Sequence, residues 1–193
     1  VKMMTVHEDQ LAIEAKGIYS LEKFLLARRL MYWQVYLHKT VLSAEFLLMN
    51  ILLRAKDISS KNNEVNGLGT LNYFLKEGKN CTIENHATWL PHFMKLDDFD
   101  VMSAIKYWAE SDNHVLKVMC DKLINRKLLK TRSLAAPLSK SELNLKREKL
   151  AEQLGWTVEE ASYLLFQKSM TNKAYNAHDE KITVLFKDGT SQD

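Results

Sequence analysis

Arg28, Tyr32, Tyr36 and Lys39 are the residues whose types and spacing could do chemistry in this chain. A helix advances about 100° per residue, which puts Tyr32 about 40°, Tyr36 about 80° and Lys39 about 20° from Arg28, all on one face. An arginine presents a planar fork that suits phosphate oxygens, and a lysine adds a compact charge. A tyrosine offers a ring for stacking and a hydroxyl for a phosphate or a sugar. Such a face can bind a nucleotide. The same spacing also serves a plain amphipathic helix whose Arg28-Arg29 pair is a solvated edge. His38 lies about 80° to the other side, near Gln34 at about 120°, so the helix can serve two polar environments.

The stretch that must position these residues, from Ile18 to Ile58, runs without Gly or Pro and with apolar residues at helical spacing. It predicts one long buried helix or two in tandem, with Ser20 as a candidate cap. Before it, residues 1–6 and 11–15 flank the polar HEDQ as a β-hairpin would, ended by Gly17. After it, the polar residues 59–70 read as a loop and the best candidate for disorder. LNYFLKEG reads as a short helix stopped by Gly78, HATWLPHFMKL as another turn or two with Pro91 early or breaking it, and DDFDVMSAIKYW as a helix with acids at its start. A further helix ends in the basic INRKLLK, where cations suit a C-terminus. SKSELNLKREKLAEQLG closes on Gly155, and TVEEASYLLFQKSM carries a capping box on Thr157 and Glu160. At the end, ITVLF is a strand and KDG a turn toward a partner that the sequence stops short of supplying, so the strand is expected to be unpaired.

The chain has 193 residues, 46% of them hydrophobic, with only 2 Pro and 6 Gly. That argues for a mainly α fold over a sandwich or barrel, which needs more turn residues. A net charge of +3 does not demand a nucleic-acid partner but leaves room for local phosphate-binding clusters. Cys81 and Cys120 have no metal-ligand spacing and read as free or buried thiols of a cytoplasmic protein. No apolar run approaches the roughly 18–20 residues of a membrane span, and no membrane partner is expected.

IYSLEKFLLARRLMYWQVYLHKTV, DDFDVMSAIKYW, INRKLLK and the tail EEASYLLFQKSMTNKAYNAHDEKITVLFKDGT resemble, in this order, the HD-domain phosphohydrolases. The branch they resemble is that of the deoxynucleoside triphosphate triphosphohydrolases. The resemblance implies cleavage of a deoxynucleoside triphosphate by water to deoxynucleoside and tripolyphosphate, with a divalent metal in a helical domain. It implies that Arg28 contacts the substrate triphosphate and that Tyr32 lines the pocket. Tyr36 would pack on the sugar and favour the deoxy form, because a close ring leaves a 2′-hydroxyl no room or no partner. His38, Lys39, Arg126 and Lys130 would reach a regulatory nucleotide at a subunit interface, which implies a homo-oligomer. The spacing of Arg126 and Lys130 by four would let one helical face or turn present both.

The family holds its metal with an H…HD…D set. Of the six histidines, only His178 is followed by Asp, in a polar stretch after the other motifs, where an exposed turn is expected. His86 and His92, with Pro91 between, have poor helical ligand geometry and suggest surface or capping roles. The metal ligands are therefore expected outside this chain, which opens on Val and reads as a C-terminal portion of a longer enzyme, inactive alone. The expected organisation is 1–135 as part of the HD-type helical domain with its N-terminal hairpin, and 136–193 as a helical and β subdomain. The rival reading is a non-catalytic nucleotide-sensing or oligomerisation module, and a third is a helical scaffold without ligand.

Overall fold

The computed structural model describes residues 3–60, 69–170 and 181–192. The expected disordered loop lies, over 61–68, outside the described residues, as do His178 and Asp179. The architecture is mainly helical with small β elements near both ends, as expected. The chain divides into two compact units, one formed from 1–41 and 169–193 as far as described, the other from 42–168.

The first unit is built on a four-stranded sheet in the order β1-β2-β3-β4, comprising Met4–His7, Gln10–Glu14, Thr183–Leu185 and Ser191–Gln192. β1 and β2 form the expected hairpin, with His7 opposite Gln10. Its two-residue turn, Glu8-Asp9, has positive φ at both positions (50° and 62°), the mirror-image turn whose twist matches a hairpin. The unpaired ITVLF strand is not what the fold contains. β3 pairs in parallel with β2 and antiparallel with β4, Val184 lying opposite Gln192. The KDG turn is tight enough to supply the partner within two residues: the Phe186 N–H donates to Thr190 O at 2.8 Å, and Asp188 Oδ1 accepts from the Thr190 N–H and hydroxyl.

A 3₁₀ turn, Ala15–Gly17, leads directly into α1, Ile18–Met31. Gly17 is buried, and a Cβ there would stand 3.0 Å from Ile13 Cγ2 and Met3 Cβ. Ser20 is not the cap, because the 3₁₀ turn already gives the Ile18 N–H a partner in Ala15 O and the helix starts before it. The long helical pattern is two helices in tandem. α1 passes into a π-helical turn, Tyr32–Tyr36, breaks at Leu37-His38, and restarts as α2, Lys39–Ser60. No residue of α1 is buried.

The second unit holds the main core. Leu47, Ile51, Ala55 and Ile58 line one face of α2 at helical spacing. With them in the core are Leu71 and Leu75 from α3 (Leu71–Glu77), Ala104, Ile105 and Trp108 from α5 (Asp98–Trp108), and Val115, Leu116, Met119 and Cys120 from α6 (His114–Ile124). α4, His86–Phe93, keeps Pro91 inside it near its end. Both cysteines are free, and burial pushes the Cys120 thiol up to about 12. Asp97 caps α5 in a capping box with Asp100, satisfying backbone N–H groups that the helix start would leave unpaired. α7, Lys140–Leu154, starts on a Ser139–Glu142 capping box and ends on Gly155, whose φ of +67° is the left-handed conformation this stop requires. α8, Val158–Ser162, has the expected Thr157–Glu160 box but is shorter than its apolar pattern predicted. Side chains from elsewhere take carbonyls the helix would have used: Asn50 Nδ2 donates to Tyr163 O at 2.7 Å and Arg147 Nε to Leu165 O at 2.9 Å.

Candidate functional site

Three of the singled-out residues meet at the end of α1. The Arg28 guanidinium carbon lies 5.7 Å from the Tyr32 ring centroid, within cation–π range. The Tyr32 and Tyr36 rings lie 5.0 Å apart, tilted at 56°. Tyr32 is half-buried, whereas Arg28 and Tyr36 are exposed. The middle ring thus holds the other two groups in a ladder, cation to ring to ring. Among the described residues no carboxylate pairs with Arg28, so its donors stay available to an incoming anion.

The backbone under this ladder is a π-turn, in which the Leu37 N–H donates to Tyr32 O at 2.8 Å, five residues back. Such turns concentrate at functional sites because the extra residue re-aims side chains within a helix. It also corrects the single-face arithmetic. Lys39 does not follow Arg28, Tyr32 and Tyr36 on one uninterrupted helix, since it opens α2 beyond the break.

His38 sits in that break and works as a cap: its Nδ1 accepts the Thr40 N–H at 3.3 Å. That contact uses Nδ1 as an acceptor and leaves the Nε2 side as the face for a ligand. Arg126 and Lys130 are not on a helical face, because α6 ends at Ile124. Arg126 has φ +55°, and the Lys127 N–H closes back on Lys122 O at 2.9 Å. This is the double-bonded stop usually built around glycine, and Lys130 follows it in irregular chain. His38 and Lys39 belong to the first unit, Arg126 and Lys130 to the second.

His86 Nδ1 lies 2.7 Å from Ile83 O, and His92 stacks on Tyr73 with centroids 4.1 Å apart. Each histidine is engaged locally. Among the described residues no three His, Cys, Asp or Glu side chains gather in a group that could hold a metal ion.

One polar centre was not legible in the sequence. Arg54 Nη2 and His114 Nε2 lie 3.4 and 3.3 Å from the same oxygen of Glu160, and Arg54 Nε donates to Asn113 at 3.4 Å. The Arg54 guanidinium also lies over the Tyr163 ring, whose hydroxyl donates to Asp57 in a short bond. Burial first, then the bond to Asp57, pushes the Tyr163 phenol up to about 12. The Thr157 backbone N–H holds the Glu160 carboxyl below its usual range, aided by the Thr157 hydroxyl, His114 and Arg54. These residues come from α2, α6 and α8 and lie up to 106 positions apart, so no local spacing announces them. Their chemistry is that of a structural clasp.

Comparison with known proteins places this geometry in context. Residues 1–64 match the family described as the HD associated region. The chain is similar to the crystal structure of a phosphohydrolase from Bacteroides thetaiotaomicron, with a TM-score of 0.88 and 38% identity over 99% of this chain and 47% of that one. It is 31% identical over 128 residues to the uncharacterised protein YwfO of Bacillus subtilis, covering 66% of this chain and 28% of that protein. It is also 28% identical over 138 residues to the uncharacterised MG461 homolog of Mycoplasma pneumoniae, covering 32% of it. The chain therefore spans about half the crystallised phosphohydrolase and a third or less of the two curated proteins. The likenesses support the HD-type phosphohydrolases as its family.

Proposed function

We propose that this chain is part of an HD-type phosphohydrolase that converts deoxynucleoside triphosphates and water to deoxynucleoside and tripolyphosphate. The observation that carries the reading is the Arg28–Tyr32–Tyr36 ladder, with a guanidinium that no carboxylate among the described residues pairs at one end and a half-exposed ring at the other. Arg28 would meet the triphosphate, where a fork can engage two oxygens at once. Tyr36 would lie against the sugar, and Tyr32 would hold the two in register. His38, through Nε2, with Lys39, Arg126 and Lys130, would bind a regulatory nucleotide where copies of the protein meet.

HD-type phosphohydrolases use a divalent metal. The described residues do not fit one, since they bring no suitable ligand group together. We assign its ligands to a part of the longer protein not included in this sequence, and expect this chain alone not to catalyse.

A second reading, a nucleotide-sensing or oligomerisation module without chemistry, is favoured by the exposed apolar surface of α1. Thermal unfolding of this chain and of the full-length protein, with each deoxynucleoside triphosphate or its ribonucleotide and Mg²⁺, tests both. A ligand at 100 times its Kd adds about 2.7 kcal/mol to the state that binds it. Stabilisation by deoxynucleotides that Arg28→Ala abolishes, with hydrolysis by the full-length protein, supports the enzyme. The same stabilisation without hydrolysis supports the module. Equal response to ribonucleotides, or none in either protein, overturns the substrate assignment.

A further inference from the structure

We infer that residues 163–168 are a helix held unwound, a strap on the second unit that exchanges with a longer α8 and covers Phe46 of α2 only while it is unwound. The run VEEASYLLFQKSM, residues 158–170, contains no Gly, Pro, Asn or Asp, the residues that ordinarily stop a helix. Most of it is Glu, Ala, Leu, Gln, Lys and Met, which helices accept at little cost. Yet α8 ends at Ser162, and the last bond of its ladder runs from the Leu165 N–H to Ala161 O at 3.0 Å. α7, by contrast, stops on Gly155 in the left-handed conformation. The end of α8 is therefore imposed by other parts of the unit.

Side chains impose it. In a continuing helix Tyr163 O would accept from the Gln167 N–H and Leu165 O from the Ser169 N–H, each four residues on. Instead Asn50 Nδ2 of α2 donates to Tyr163 O at 2.7 Å, and Arg147 Nε of α7 donates to Leu165 O at 2.9 Å. The Gln167 amide turns to the backbone of Leu138, its Oε1 accepting the N–H at 2.8 Å and its Nε2 donating to the carbonyl at 3.4 Å. Phe166 meets Phe46 edge-on, with ring centroids 5.8 Å apart.

The carbonyls of Tyr163 and Leu165 belong to half-buried residues and need partners. They have two sets: the side chains of Asn50 and Arg147 in the strap, the N–H groups of their own segment in the helix. Two arrangements that each satisfy the same polar groups are what a two-state element requires. A local preference that the fold overrides is also where a second state lies close in energy. Growth of α8 gives up the Phe166–Phe46 contact and the Gln167–Leu138 pair together, which uncovers Phe46 and the Leu138 backbone. A partner that binds those groups thereby favours the helix. The strap shares no residue with the Arg28 ladder.

Residue-resolved hydrogen exchange and ¹³Cα chemical shifts of the full chain distinguish the two states. In Asn50→Leu/Arg147→Met the shifts of 165–168 should move toward helical values. The Gln167 and Ser169 amides should exchange about tenfold more slowly, the scale set by removing two competing hydrogen bonds. Gln167→Ala keeps both captures, breaks the tie to Leu138 and adds a better helix former, so it should move both readouts the same way even if the double variant does not fold. Lys168→Gly, an exposed change added to either variant, should reverse the gain by about fivefold, because glycine penalises the helix. Faster exchange with coil shifts over 163–168 in the folded variants would overturn the strap, since the segment would then be a loop that the side chains merely pin. No change in Gln167→Ala, or a gain that Lys168→Gly leaves intact, would overturn it as well.

Discussion

Arg126 and Gly155 occupy equivalent places at two helix ends, and only one is the residue that the backbone prefers. Both have positive φ, +55° and +67°, and both are followed by an N–H that closes back onto the helix, Lys127 to Lys122 and Trp156 to Ala151. A left-handed conformation costs a residue with a Cβ roughly 1–2 kcal/mol. Arg126→Gly should therefore leave stability unchanged or raise it by up to about 1 kcal/mol, part of the relief being lost to the freer unfolded chain. Gly155→Ala should lower it by about 1 kcal/mol. Urea unfolding of both variants checks the pair; destabilisation by Arg126→Gly would show that its side chain holds more than a turn. At this scale much was readable: Asp97, Thr157 and Gly155 act where their types predict. Ser20 does not, because a 3₁₀ turn that no local signal announced had already begun the helix.

At the scale of elements, the π-turn and the clasp on α8 decide the arrangement. The apolar spacing from Ile18 onward implied helix throughout, and helix is what most of it forms. Periodicity cannot register one extra residue in a turn, so the step after Tyr32 and the break before Lys39 were invisible to it. For α8, Glu160 is ionised against the Thr157 N–H, Arg54 and His114, which holds its carboxyl low. A depressed carboxyl contributes stability that is present above its unfolded value, about 4.3, and is lost as pH falls through the folded value. Acidification below about pH 4.3 should therefore loosen the α8 clasp in the native protein. Glu160→Gln should be less stable at neutral pH and should lose less on acidification. Thermal melts from neutral pH to pH 3, followed by the fluorescence of nearby Trp156, measure this; identical acid slopes for the two proteins would refute it.

Across the whole molecule, the distribution of apolar surface is uneven. The second unit has a continuous core around Trp108, whereas α1 carries apolar residues on every side and buries none. Phe24, Leu30 and Trp33 are each about half exposed. A helix apolar all round is one that other protein covers, so the chain is expected to associate. Sedimentation should show species heavier than the 22.4 kDa chain, and Leu30→Glu should shift them toward the monomer with little effect on the second unit. A concentration-independent monomer in the unaltered chain would refute this.

The sequence by itself determined the mainly helical class, the hairpin at the start, most caps and the candidate ladder, because each depends on residues within a few positions of one another. Only the tertiary structure decided that β3 is paired on both sides, that α8 is short, and which polar groups meet around Glu160. It also separated Arg126 and Lys130 from any helical face. Those outcomes depend on which distant side chain reaches a backbone carbonyl or carboxylate first, and that is set by packing of the folded chain, which spacing along it does not encode.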